Sequence, residues 1–345
     1  MPDAPIAVAI LNWNGKKLLE RFLDNVLKHS APLGKVYLID NNSSDDSIAY
    51  TKSEFPAVEI VALEDNYGYA GGYNKGLKHI PEEFVVLLNS DVEVTPNWLV
   101  PLYSRFTADA TLAALQPKIK DLKSPQHFEY AGAAGGYIDI LGYPFCRGRI
   151  FDHLEEDQQQ YDNYQEVFWA TGACLAVRKS AFEQVGQLYE TLFAHMEEID
   201  LCWRFQLAGF KVAVEPASEV HHLGGATLES YSPQKTYLNF RNSLIILFLN
   251  LPHSLAIPTI LARLVLDGVS ALRFLLTGKP KLLLAILRAH FAFYGMFNAL
   301  FLEKRKRKSA PLNSLKGVYS KSIVVDFFLR KRKTFADLKF QAGEK

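Results

Sequence analysis

The hydrophobic positions of this chain fall first into short unbroken runs, each ending in polar residues. Residues 6–11, 36–39 and 84–88 are apolar, and 58–63 is so but for Glu59; all contain β-branched side chains, the length and make-up of buried strands. Between them lie segments with helical spacing. Leu18, Leu19, Phe22, Leu23, Val26 and Leu27 share one face, and a glycine-rich stretch leads into a helix through Leu77. Strands alternating with helices at this spacing predict a parallel sheet covered on both faces. From residue 113 to 164 the pattern loosens, with Gly132, Gly135, Gly136, Gly142 and Gly148 punctuating β-like pieces and a polar run at 155–160; hairpins and a mobile loop are expected there. Order resumes with a strand at 174–177, a short helix at 180–185, a helix opened by acids within 193–209, and a strand at 212–214.

Beyond residue 242 the pattern changes. In residues 259–277 the polar positions Arg263, Asp267, Ser270, Arg273 and Thr277 recur every three or four residues, one stripe of a helix whose other faces are apolar. Residues 282–302 are more apolar but contain Arg288, His290 and Asn298. Neither segment is the clean run of about 20 apolar residues that a spanning helix wants.

At 345 residues and 49% hydrophobic, the chain is long enough for a large domain with an appendage. Its net charge of +1 hides a split: residues 1–240 sum to −13 and residues 241–345 to +14. That asymmetry points to a tail with an anionic partner. Basic runs at 304–308 and 330–333 lack interleaved aromatics, which argues against nucleic acid and for a membrane surface; a helical hairpin packed on the first domain, or an oligomer interface, is the competing reading. Cys146, Cys174 and Cys202 have no metal-ligand spacing and fit a reducing compartment. The first residues lack a basic segment before a short apolar run and read as a strand rather than a signal peptide.

Candidate chemistry gathers where strands end. The stretch FVVLLNSDVEV, residues 84–94, carries Asp91 past a buried strand with Glu93 two residues on. Carboxylates there suit a hard divalent cation holding a phosphate, although Asn, Ser and Asp also make ordinary turns. Asp40 ends another strand, as an acid that meets a ribose or a base edge would, and an Asx turn explains it equally well. Glu197, Glu198 and Asp200 exceed what a helix N-terminus needs for its dipole, so a catalytic carboxylate is plausible among them. His221 and His222 precede a double glycine, and imidazole is a common ligand for transition metals.

Eight segments in order then carry a resemblance: VAILNWNG, DNNSSDDS, NYGYAGGYNKG, LLNSDVEV, WATGACLAVRKSAF, HMEEIDLCWR, VHHLGGAT and YLNFRN, spanning residues 6–242. Together they resemble a family 2 glycosyltransferase of GT-A fold, and more narrowly its rhamnosyltransferase-like branch. The resemblance implies an α/β catalytic domain, a Rossmann-like mixed sheet flanked by helices, over residues 1–242, followed by a helical, basic, membrane-associating region over 243–345. It implies a nucleotide-sugar donor held by Asn12, Asn14, Asp40, Asn66, Gly71, Asn74, Asn89, Ser90, Asp91, Gly172, Ala173 and Arg241. Asp91 and His222 would hold Mg²⁺ or Mn²⁺, Asn89 standing where many relatives carry a first aspartate. Glu198 falls where the family has its aspartate base, with Glu197 and Asp200 as alternates.

The expected activity is inverting transfer of a sugar from a UDP- or dTDP-rhamnose-like donor to a hydroxyl of a lipid-linked cell-surface glycan precursor. The expected place is the inner face of the cytoplasmic membrane, with a homo-oligomer possible. A nucleotidyltransferase and a catalytically weak nucleotide-sugar scaffold are the alternatives. The first is disfavoured because no glycine-rich, lysine-bearing phosphate loop follows the first strand.

Overall fold

A computed structural model describes residues 5–224 and 232–340. The first half alternates as its pattern predicts: β1 (Ile6–Asn12), α1 (Lys16–Ser30), β2 (Gly34–Asp40), α2 (Ser47–Glu54), β3 (Glu59–Ala62), α3 (Gly68–Gly76), β4 (Phe84–Leu88), β5 (Val92–Val94), α4 (Leu99–Ala108) and β6 (Leu112–Asp121). Short strands β7 (Gly136–Asp139), β8 (Pro144–Cys146), β9 (Arg149–Ile150), β10 (His153–Leu154) and β11 (Gln165–Glu166) follow. Then come β12 (Cys174–Arg178), α5 (Lys179–Gln184), α6 (Glu197–Leu207) and β13 (Lys211–His222). The C-terminal part is α7 (Pro233–Asn250), α8 (His253–Leu276), α9 (Pro280–Gly295), α10 (Phe297–Lys304) and β14 (Val318–Tyr319).

The main sheet runs β11-β13-β6-β12-β4-β1-β2-β3, with β5 paired to β13. Strands β1 to β4 are parallel, whereas β12 lies antiparallel between β4 and β6, so the sheet is mixed. Both faces are covered because side chains alternate along each strand. Ile6, Val8 and Ile10 pack in one core with Leu19, Leu23 and Val26 of α1, while Ala7 and Ala9 pack in the other with Ala70, Tyr73 and Leu77. Each such buried Ile or Leu contributes roughly 1.5–3 kcal/mol. The parallel strands end on one edge, where Asn12 lies in register with Asp40.

The glycine-punctuated region forms a second, five-stranded sheet, β10-β9-β8-β7-β14. Its last member comes from the far end of the chain, since Val318 and Tyr319 pair in parallel with Ile138 and Asp139. Phe335 closes the same core, its ring centroid 4.8 Å from that of Tyr137 and 6.3 Å from that of Phe145. The boundary expected at residue 242 falls inside α7, whose residues from Asn242 to Asn250 are all buried. The three cysteines are buried free thiols.

The basic run at 304–308 does not stand free as expected. Lys304 Nζ is buried and donates to the carbonyls of Phe248 and Leu251 at the end of α7. Arg307 Nη1 reaches Asp200 Oδ1 at 2.7 Å, and its Nε reaches Glu303 at 3.1 Å. Orphan carbonyls at a helix C-terminus and a buried carboxylate draw these two cations inward. Arg305, Lys306 and Lys308 alone of the run are exposed.

Candidate active site

The strand ends form a hydrogen-bonded rim. Asp40 is buried; its Oδ1 accepts from Asn12 Nδ2 at 2.8 Å and from Ser43 Oγ at 2.6 Å, and its Oδ2 accepts from the Ser43 amide at 2.9 Å. A carboxylate accepts about four hydrogen bonds, so one position on Oδ2 is left for a ligand. Asn14 Oδ1 accepts from the amides of Ser44 and Asp45 and thereby shapes the acid loop. Asn41, a residue that spacing does not single out, ties this rim to the next: its Nδ2 donates to Asn66 Oδ1 at 2.9 Å and to the Gly68 carbonyl at 3.0 Å. Gly68 has φ +68°, and a side chain there would strike the Phe193 ring. Gly71 is buried in α3. Asn74 faces inward, exchanging hydrogen bonds with the Leu188 backbone at 2.8 and 3.0 Å.

β13 runs antiparallel to β5, so His222 comes beside Val92 and the Leu223 amide donates to the Asp91 carbonyl. Through that register His222 Nε2 lies 3.2 Å from Asp91 Oδ1, across 131 residues of chain. On the other side of the ring, Nδ1 lies 3.2 Å from Glu129 Oε1. Glu129 has no signal in the sequence; it is delivered by the loop that returns along β6, where its amide donates to the Ile119 carbonyl. Burial alone would lower the imidazole pKa, but the Asp91 and Glu129 carboxylates outweigh it and push His222 up to about 10. An imidazolium between two carboxylates is a site already balanced for positive charge. Among the described residues no three His, Cys, Asp or Glu side chains are arranged to hold a metal by themselves. His221 turns away, to Glu219 at 3.2 Å.

The helix α6 supplies the acids, and its lead-in is strained. Phe193, His195 and Met196 have φ of +65°, +67° and +73°, a region costing non-glycine residues on the order of 1–3 kcal/mol each. One side chain holds this segment: Asn242 Nδ2 donates to the carbonyls of Leu192, Ala194 and His195 at 2.9, 2.9 and 2.7 Å. Arg241 Nη2 adds bonds to the Thr191 and Leu192 carbonyls, both at 3.2 Å, so that guanidinium is engaged by the loop.

The three acids then divide. Asp200 is fully buried, accepting from Arg204 at 2.9 Å, Asn250 at 2.8 Å and Arg307 at 2.7 Å. Although burial raises its pKa, the two guanidiniums outweigh that and hold it low. Its oxygens are occupied by structure. Glu197 is buried and Glu198 half-buried, and each has an Oε2 without a hydrogen-bond partner among the described residues. Desolvation pushes Glu198 up to about 7. Glu197 is raised well above the carboxylate range by burial and by the Glu198 charge.

Gly172 links this helix to the strand ends. A Cβ placed on it would lie 3.9 Å from Glu198 Cβ, and its carbonyl accepts from the Tyr69 hydroxyl at 2.8 Å. The next residue, Ala173, accepts from the Asn89 amide at 3.0 Å, and Asn89 and Ser90 lead directly to Asp91. The fold thus brings Asn12, Asp40, Asn66, Asn89, Asp91, Gly172, Glu198 and His222 to one sheet edge through a continuous chain of contacts. Asn74, Asp200 and Arg241 are tied into the scaffold around it. Tyr69, Asn41, Glu129 and Asn242 are the contributors that spacing did not reveal.

The family profile described as Glycosyl transferase family 2 matches residues 7–186, more than half of the chain. This chain belongs to glycosyltransferase family 2. Among curated relatives of this glycosyltransferase is the N-acetylglucosaminyl-diphospho-decaprenol L-rhamnosyltransferase of Mycobacterium tuberculosis, 29% identical over 246 residues, covering 66% of this chain and 78% of the relative. The low-salt glycan biosynthesis hexosyltransferase Agl10 of Haloferax volcanii is 23% identical over 243 residues, covering 69% of this chain and 73% of the relative. Two solved structures share the GT-A fold. GalNAc-T7 with UDP, GalNAc and Mn²⁺ superposes with TM-score 0.56 at 18% identity, over 72% of this chain and 48% of that one. The mannosyltransferase PcManGT from Pyrobaculum calidifontis, with GDP-Man and Mn²⁺, gives TM-score 0.50 at 14% identity, over 85% and 89%. The family match stops before α6, so Glu198 and His222 rest on the geometry above.

Proposed function

We propose that this glycosyltransferase moves one sugar from a nucleoside diphosphate donor to a hydroxyl of a lipid-linked cell-surface glycan precursor, with inversion, at the inner face of the cytoplasmic membrane. The observation that carries the chemistry is Glu198: a half-buried carboxylate with a free Oε2, beside Gly172 and the strand-end rim, and titrating near neutrality. The acceptor hydroxyl loses its proton to Glu198 as its oxygen attacks the sugar C1, and the bond from C1 to the diphosphate breaks with its electron pair going to the phosphate. A base whose pKa lies near the working pH suits that role, and one displacement inverts C1. Asp40, held by Asn12 and Ser43, would read the base or ribose with its remaining acceptor position.

Asp91 and His222 fit a divalent cation. Asp91 would supply an oxygen and His222 a nitrogen once the cation displaces the Nε2 proton, Glu129 holding the proton on Nδ1; the other positions are left to the donor diphosphate, and Mg²⁺ or Mn²⁺ bound there would stabilise the charge gathering on that leaving group. The rhamnosyl and polyprenol-diphosphate terms in the mycobacterial relative's name favour a dTDP-rhamnose-like donor and a lipid-linked acceptor. The buried free thiols suit a reducing compartment.

The test is Glu198→Gln, assayed with a panel of nucleotide sugars. The expected result is kcat lower by roughly 10²–10⁴-fold with donor affinity nearly unchanged. Full activity in this variant, with loss in Glu197→Gln instead, would move the base by one residue.

A further inference from the structure

We infer that α8 and α9 form a monotopic membrane-insertion element, an inside-out helix pair that docks on the enzyme through the buried polar residues Arg263 and Asp267 and whose apolar faces enter the lipid headgroup boundary. Of the stripe predicted from spacing, Arg263 and Asp267 point inward and Ser270 is half-buried, whereas Arg273 and Thr277 at the end of the helix are exposed. Arg263 is 3% exposed and Asp267 0%, whereas Val265 on the opposite face is 69% exposed, Leu276 78% and, on α9, Phe291 72%. Leu261, Val265, Val269, Leu272 and Leu276 follow one another at intervals of three or four residues, a single outward ridge.

The inward side is a built interface. Arg263 donates to the carbonyls of Leu141 and Gly142 at 3.2 Å and to Ser243 Oγ at 3.0 Å, with its guanidinium 3.7 Å from the Tyr143 ring centroid. Asp267 takes His290 of α9 at 3.1 Å. These contacts lie at mid-length of α8, so the helix runs alongside the catalytic domain. A span there would place that domain's hairpin at bilayer depth. By length and composition α8 could cross a membrane; its docking partners favour lying in the surface plane.

Charge selects the occupant. Within residues 251–302 the sole acid is Asp267, which is buried, while Arg273, Lys281 and Arg288 are exposed. The Arg273 guanidinium lies 5.6 Å from the Phe328 ring, which brings exposed Phe328 and Leu329 beside this face; in the basic run that follows, Arg330 and Arg332 are paired with Asp326 and Lys331 and Lys333 are exposed. A second copy of this face would bring a like-charged rim against its own, whereas an anionic bilayer complements it. The face also adjoins the catalytic loop. Arg288 of α9 lies over Tyr237, which packs on Arg241, the residue that holds the Thr191 and Leu192 carbonyls.

Flotation of the full chain with vesicles of phosphatidylcholine, with and without phosphatidylglycerol, tests this. Wild type is expected to float with the anionic vesicles and to stay largely bound in high salt. Glu at positions 261, 265, 269 and 272 together should weaken partitioning about 100-fold or more with the melting temperature kept; Val265→Ser with Val269→Ser is the milder check on folding. In Thr277→Cys, a substitution at an exposed position in the α8–α9 turn, the new thiol should react with an impermeant maleimide from the side of addition. Complete release in high salt, a dimer broken by the same substitutions without vesicle binding, or a thiol at 277 shielded until detergent is added would each overturn the inference.

Discussion

Two adjacent glutamates withdrawn from water at one helix start cannot both ionise freely, and the fold separates them by exposure. Glu197, the more buried, keeps its proton, and Glu198 titrates near 7. As the proposed base, Glu198 would act only when ionised, so kcat/KM should rise with pH through an apparent pKa near 7 and level off above it; a profile flat from pH 5 to 8 would remove Glu198 from the role. The sign for stability is opposite. Both carboxyls sit above their ordinary value in the folded state, so their contribution is present at low pH and is lost as pH climbs above the ordinary carboxyl pKa, for Glu198 through about 7. At the neighbouring site, Asp91→Ala removes one of the two ligands proposed for the cation. Thermal stabilisation of the wild type by Mn²⁺ with nucleoside diphosphate should vanish in this variant, and an unchanged shift would place the cation elsewhere.

Among the elements, α6 buries ionisable residues, Glu197, Asp200 and Arg204. Its Asp200 is held from distant chain, by a hydrogen bond from Asn250 at the end of α7 and by the charge of Arg307 from beyond α10. Arg307→Ala leaves Asp200 with one cation in a dry site and should cost about 3 kcal/mol in urea unfolding. Arg305→Ala and Lys306→Ala, in the same basic run but exposed, should stay within about 0.5 kcal/mol. Equal effects from all three would mean that Arg307 is not the anchor. The same comparison separates fold from membrane attraction, because a charge count over residues 304–308 merges cations with different partners.

For the whole molecule, the chain's end completes a sheet that begins near its middle. β14 pairs with β7, and Phe335 packs among Tyr137, Phe145 and Tyr161. Phe335→Ala should therefore destabilise the catalytic domain by about 3–5 kcal/mol, although it lies far from the site in sequence. A loss confined to membrane binding, with unfolding unchanged, would show the tail to be an appendage after all.

Much of this was legible in the order of residues. Alternating apolar runs with a period of two in strands and near 3.6 in helices dictate the doubly covered sheet, because each pattern can bury only one kind of face. Strand ends mark where ligands meet such sheets, so Asp40 and Asp91 could be singled out, and the acids at 197–200 stood out because they exceed what a helix start needs. Which of those acids is free to take a proton was a tertiary matter: Asp200 is claimed by Arg204, Arg307 and Asn250, partners 4, 107 and 50 residues away. Glu129 reaches His222 only because a loop returns along β6. A helical stripe has a period but no sense of inside or outside, so spacing found the polar line of α8 without its direction. The docking of Arg263 and Asp267 decided that, and with it which face of the helix is left for lipid.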